Sequence, residues 1–155
     1  MTYADRILQP DERIRHQARL HWIMMLPGSL LTAASVAVGF TGLLSLKGAA
    51  GMALLALSTV LFLVGGARLL AAWLTRLSTE IIVTNRRIVL KTGLFSRRTK
   101  EMNLDKVESV QVDQSLIGRM LDFGTLVIRG VGAGLEPLAN VAQPLELHRQ
   151  INASG

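Results

Sequence analysis

The sequence predicts an α+β membrane protein: a two-helix transmembrane hairpin followed by a small antiparallel β-barrel or sandwich with a C-terminal helix. Three observations predict it. Trp22–Leu46 and Gly48–Ala67 carry no ionisable side chain, and a membrane-spanning helix needs roughly 20 mostly apolar residues at about 1.5 Å of rise each. From Ser78 the pattern changes to short β-branched runs separated by Asn, Gly and Asp, which is the signature of closely spaced strands. Near the end, Pro144 suits a first helical position, and Leu147 and Ile151, four apart, mark one face of a helix.

Composition excludes several function classes. The chain has 155 residues and no cysteine, so disulfide frameworks, thiolate zinc sites and dithiol redox motifs are ruled out. Its length suits the hairpin plus one small module. The formal charge of +6 suits an anionic partner. With an anchoring hairpin and no recognition helix, that partner is expected to be the membrane surface and not nucleic acid.

In chain order, residues 1–21 form the expected cytoplasmic N-terminal segment. Gln9-Pro10-Asp11-Glu12 reads as a turn. From Arg13 to Trp22 the period is nearly two, with Ile14, Ala18, Leu20 and Trp22 on one side and Arg13, Arg15, Gln17 and Arg19 on the other. That pattern favours a half-buried extra strand of the β-domain over a basic amphipathic lead-in to the first helix. A leader with Asp5, Asp11 and Glu12 before a long apolar run argues against a cleaved signal peptide.

Residues 22–74 are the expected hairpin. Trp22 suits the membrane interface. Pro27-Gly28 kinks the first helix unless that helix begins near Leu26. Ser35 and Gly39, then Ala49 and Ala53, are small residues spaced for close helix packing. Ser45-Leu46-Lys47-Gly48 leaves room for a tight turn. Arg68 sits where a long side chain snorkels to the headgroups, and Leu69–Leu77 is expected to continue as helix. Arg6, Arg13, Arg15 and Arg19 precede the hairpin, basic residues recur from Arg76 to Arg149, and the turn has Lys47 alone. The positive-inside rule then puts both termini in the cytoplasm and the Lys47 turn outside.

Residues 76–153 are the expected β-domain. Glu80–Thr84 and Arg87–Thr92 form a hairpin about Asn85-Arg86, and Gly93 supplies the next reversal. Arg97–Asn103 and Val107–Gln114 follow, joined by a bend at Asp105-Lys106, with Val110 and Val112 inward. Ser115 caps about two helical turns to Asp122. Thr125–Arg129 is a strand with Leu126 and Ile128 inward. Leu135–Ala142 is an edge strand because Pro137 lacks a donor.

Leu77-Ser-Thr-Glu80, Val83-Thr-Asn-Arg-Arg-Ile-Val89, Thr92-Gly-Leu-Phe95, Arg97-Arg98, Gln114-Ser-Leu-Ile-Gly-Arg119, Phe123-Gly-Thr125 and Asn140-Val-Ala-Gln-Pro144 together resemble the bacterial pleckstrin-homology-like (PH-like) domain that follows two transmembrane helices. The resemblance covers about half the chain. It implies a seven-stranded, helix-capped barrel and supplies no catalytic activity.

The basic residues Arg86, Arg87, Lys91, Arg97, Arg98 and Lys100 are the candidate lipid- or partner-contacting set. No acid lies between Ile81 and Lys100. They form one membrane-proximal patch, or they are solvated arginines and lysines paired with Glu80, Glu101 or Asp105. Thr84 and Asn85 are read as bonding the local backbone of their turn.

Gly130-Val-Gly-Ala-Gly134 does not open a helix inside a βαβ unit, so no nucleotide is expected there. His16, His21 and His148 have no ligand spacing, Ser115 reads as a cap, and no carboxylate pair stands in an apolar setting. No catalytic residue, metal or cofactor is expected. The function expected is a non-enzymatic, membrane-anchored interaction or scaffold module, served by a membrane-protein partner or a second copy. The alternative is an anionic-lipid-sensing or lipid-handling component.

Overall fold

The computed structural model describes residues 12–45, 48–93, 98–132 and 137–153. The expectations for Pro10, Lys47, Arg97 and Gly134 lie outside the described residues. The chain divides into two compact units, one holding Trp22–Thr75 and the other the residues before and after that stretch.

The first unit is helical. A 3-10 turn at Trp22–Met25 leads into α1 (Leu26–Leu44), and α2 runs from Ala49 to Ser78. Pro27 falls in the first turn of α1, where its missing N–H has no intrahelical acceptor to lose, so no kink is needed. The two apolar stretches, Trp22–Leu44 with 23 residues and Ala49–Ser78 with 30, are long and apolar enough to cross a membrane.

Small side chains face inward and large apolar ones face outward. Gly28, Ser35 and Gly42 are the buried residues of α1, and Gly51 and Gly65 those of α2. A Cβ on Gly28 would sit 2.7 Å from the backbone nitrogen of Leu69, and one on Gly65 would sit 2.8 Å from that of Thr32. Meanwhile Leu30, Val36, Phe40, Val60, Phe62 and Leu63 are exposed. Small residues therefore recur every seven positions, at 28, 35 and 42 and again at 51, 58 and 65, a spacing that keeps one seam in register along a helix pair. Ser35 and Gly39 belong to that seam, as expected. Ala49 and Ala53 are exposed and take no part in it.

Among the described residues, the second unit contains seven strands in two antiparallel sheets. β1 (Ile14–Arg19), β2 (Glu80–Thr84), β3 (Arg87–Thr92) and β4 (Arg98–Asn103) form one sheet in that order. β5 (Val107–Asp113), β6 (Phe123–Gly130) and β7 (Leu138–Ala142) form the other. The segment before the hairpin is thus a strand, and it pairs with the first strand after it, Arg19 opposite Glu80. Leu20 forms a single bridge to Val141 of β7, and the N–H of His21 donates to the carbonyl of Asn140. One bridge does not make a ladder. The architecture is two antiparallel sheets linked by that single bridge, which corrects the expected closed barrel.

Ile81, Val83, Ile88 and Leu90 from the first sheet, Leu126, Ile128 and Val141 from the second, and Leu147 and Ile151 from the terminal helix α4 (Pro144–Asn152) are all buried. Arg15 of β1 ties to the end of that helix by donating to the carbonyl of Ala153 at 3.3 Å. Between β5 and β6 lies a five-residue helix, α3 (Leu116–Met120), shorter than expected and capped by Ser115, whose Oγ accepts from the N–H of Gly118 at 3.0 Å.

Candidate functional site

The Thr84-Asn85-Arg86-Arg87 turn joins β2 to β3. The Thr84 hydroxyl accepts from the N–H groups of Arg86 (3.2 Å) and Arg87 (3.0 Å) and donates to Glu12 Oε1 at 2.8 Å. Thr84 thus bonds its own turn, as its residue type predicts. Asn85 also reaches beyond its own turn. Its Oδ1 accepts from the N–H of Arg13, and its own N–H donates to the carbonyl of Arg13, which stitches the turn to the chain just ahead of β1.

Arg87 makes a fork. Its Nε and Nη2 donate to Glu12 Oε1 and Oε2, each at 2.9 Å, and Nη1 donates to Glu101 Oε2 at 2.7 Å. A planar guanidinium matches a carboxylate in this two-bond geometry. The Glu12 side chain is 1% exposed, so the pairing supplies the counter-charge that a buried carboxylate requires. The same bond to Glu12, chiefly, holds the Arg87 pKa above its ordinary value. Sequence reasoning missed Glu12, which reads as a turn residue 75 positions away from its partner.

The candidate basic residues divide between two ends of the first sheet. Arg86 and Arg87 stand at the β2–β3 turn. Lys91, Arg98 and Lys100 stand at the other, because Glu80 is opposite Lys91, Thr92 opposite Arg98 and Leu90 opposite Lys100. Successive turns of an antiparallel sheet lie at opposite ends, so a single patch across all of them does not form among the described residues. Alternation also splits them by face. Lys91 follows Arg87 and Val89 on one face, whereas Arg98 and Lys100 share the face of Met102, which is buried opposite Ile88. Lys91 approaches Glu80 at 3.9 Å. Arg97 lies outside the described residues.

Each end has a cavity. At the turn, about 450 Å³ is lined by Glu12, Asn85, Arg86, Arg87, Asn103 and Asp105. At the other end, about 230 Å³ is lined by Leu20, Thr79, Leu90, Thr92, Lys100 and Pro137–Ala139. The first is polar and walled by both signs of charge. The second is mainly apolar, with Lys100 at its side.

That second end is also where the chain leaves for the helices and comes back. His21 stacks on Phe123 with ring centroids 5.2 Å apart, and Arg76 Nε donates to the carbonyl of Leu20 at 3.0 Å. Desolvation first, and then the charge of Arg76, push the His21 pKa below its ordinary value, opposed by Asp122.

Comparison with curated proteins and with solved structures finds no match. The family model described as the bacterial PH domain matches residues 26–154. The matched span takes in both long helices and β2 through α4, and begins downstream of β1 and Glu12. With that span covering most of its length, the chain belongs to the bacterial PH domain family.

Proposed function

We propose that this chain is a membrane-anchored, non-enzymatic interaction module that displays its PH-like unit on the cytoplasmic face of a bacterial inner membrane. One observation carries the reading. β1 and β2 are neighbours in one sheet, with Arg19 opposite Glu80, although two long apolar helices intervene. A sheet cannot be paired across a bilayer, so the chain must leave and return on the same side. Two helices with small residues inside and large apolar residues outside suit that excursion, because lipid replaces water as the solvent for the outer face. The basic residues on either side of the hairpin support a cytoplasmic setting. Strand β4 is an edge of its sheet, and edges accept added strands from a partner protein or a second copy.

A second reading, recognition of anionic lipid, draws support from Arg76, Arg98 and Lys100 at the end of the sheet where the chain joins its helices. Each basic group near an anionic leaflet contributes about 1 kcal/mol.

The test uses the full chain, because residues 76–155 without β1 would leave one edge of β2 without its partner strand. A fluorescent reporter fused after Gly155 is expected to light in the cytoplasm, and a periplasm-dependent reporter inserted at the α1–α2 turn is expected to be active. The opposite pattern overturns the topology. Co-purification of a stoichiometric partner from native membranes supports the interaction module. Selective retention of phosphatidylglycerol that disappears on Arg98→Ser with Lys100→Ser favours the lipid reading instead.

A further inference from the structure

The helix α3 displays apolar side chains that the fold does not bury. Leu116 is 80% exposed and Met120 85%, and Ile117 and Leu121 are exposed beside them. Their positions, i, i+1, i+4 and i+5, fall on one face of a helical turn. Exposed large apolar residues in such a group mark an interaction surface.

The display is rigid. Ser115 caps the helix at the N–H of Gly118. Gln114 Nε2 donates to the carbonyls of Gly118 (3.4 Å) and Phe123 (3.1 Å). A Cβ on Gly118 would lie 2.6 Å from the carbonyl oxygen of Phe123, so Gly118 is the residue that lets this turn lie flat on β6. Holding Gly118 inward turns Leu116, Ile117 and Met120 outward.

The position of α3 selects its occupant. Its C-terminal turn runs into Asp122 and Phe123. The Phe123 ring stacks on His21, and the charge of Asp122 acts on His21, which is the last residue of the β unit before the chain enters the helices. An apolar helical turn tethered beside a membrane-crossing segment is held at high effective concentration near the bilayer surface. Arg119, the one charged residue from Ser115 to Leu121, carries the sign that suits an anionic headgroup.

From these relationships we infer that α3 is a third membrane contact: Leu116, Ile117, Met120 and Leu121 insert into the interfacial region of the bilayer, and Arg119 meets its headgroups. The inference rests on the membrane-crossing reading of α1 and α2. It assigns a lipid surface, not a protein, to this face. Insertion of this kind lies in the plane of the interface and needs no spanning length. It would give the β unit a contact with the membrane in addition to its two chain connections.

The natural absence of cysteine makes single-site labelling clean. Full-length Met120→Cys and Phe62→Cys variants, each carrying an environment-sensitive fluorophore, are reconstituted into vesicles of equal parts phosphatidylglycerol and phosphatidylethanolamine. Glu108→Cys serves as the aqueous reference. Lipids with a quencher on the acyl chain are expected to quench the label at position 120 several-fold more than at position 108. Ile117→Glu in the same chain should return the label at position 120 to the level of the reference. Quenching at position 62 with none at position 120 overturns the α3 inference and leaves the hairpin standing. No quenching at position 62 overturns the membrane reading and the inference with it. A label at position 120 shielded from water yet unquenched by lipid would show a protein or a second copy on this face, and also overturns it.

Discussion

Arg87 and Glu12 meet side-on through two bonds of 2.9 Å, joining strand β3 to a residue two positions ahead of β1. The hairpin helices lie between them in sequence. The pair therefore closes the β unit across the insertion, beside the Ile14–Thr84 pairing and at the end of the sheet opposite to where the chain leaves and returns.

Glu12→Ala is expected to destabilise the β unit by about 3 kcal/mol, because it leaves the Arg87 fork and the Thr84 hydroxyl without their shared acceptor. Glu101→Ala removes the other partner, whose side chain is 40% exposed, and should cost under about 1 kcal/mol. Chemical denaturation of the full chain in detergent, followed by circular dichroism in the β region, checks both. Equal effects would contradict the ranking.

Adjacent glycines in α2 should respond in opposite ways. A Cβ at Gly65 meets the backbone of Thr32, whereas one at Gly66 meets nothing within 4 Å. Gly65→Ala is expected to cost about 1–3 kcal/mol through overpacking. Gly66→Ala should be neutral or stabilising by up to about 1 kcal/mol, from helix propensity. Thermal unfolding in detergent or nanodiscs, read in the helical region, separates the two.

Stability of the β unit should depend on pH through His21. Its folded pKa lies below the ordinary 6.5, so between the two values the unfolded chain binds more protons than the folded one. The stabilisation is complete above about pH 6.5 and is lost as pH falls through the folded value. His21→Phe keeps a ring against Phe123 without a titrating group. Its thermal midpoint should fall less than that of the natural chain between about pH 7.5 and pH 5. Parallel curves would remove His21 from the account.

The terminal helix offers a burial test. Leu147 is wholly buried and Leu145 is 54% exposed. Leu147→Ala is expected to cost about 2–5 kcal/mol and Leu145→Ala under about 0.5 kcal/mol, measured by denaturant midpoint on the full chain.

The sequence by itself determined what depends on neighbours along the chain. The two uncharged runs, the change from helical to strand period near Ser78, the Ser115 cap, Pro144 at the start of α4 and the reversal at Gly93 (φ 95°) all rest on local geometry or on side-chain hydropathy. Even β1 was legible, because alternation in Ile14–Arg19 is written in consecutive residues. The tertiary structure decided whatever depends on register and on which strands become neighbours. It paired Arg87 with Glu12, divided Arg86 and Arg87 from Lys91, Arg98 and Lys100, left two separate sheets instead of a closed barrel, and chose Gly28, Ser35 and Gly42 over Ala49 and Ala53 for the helix seam. The physical reason is that an ion pair or a close helix approach needs two groups within a few ångströms. Their separation in sequence says nothing of that until the register between distant segments is set.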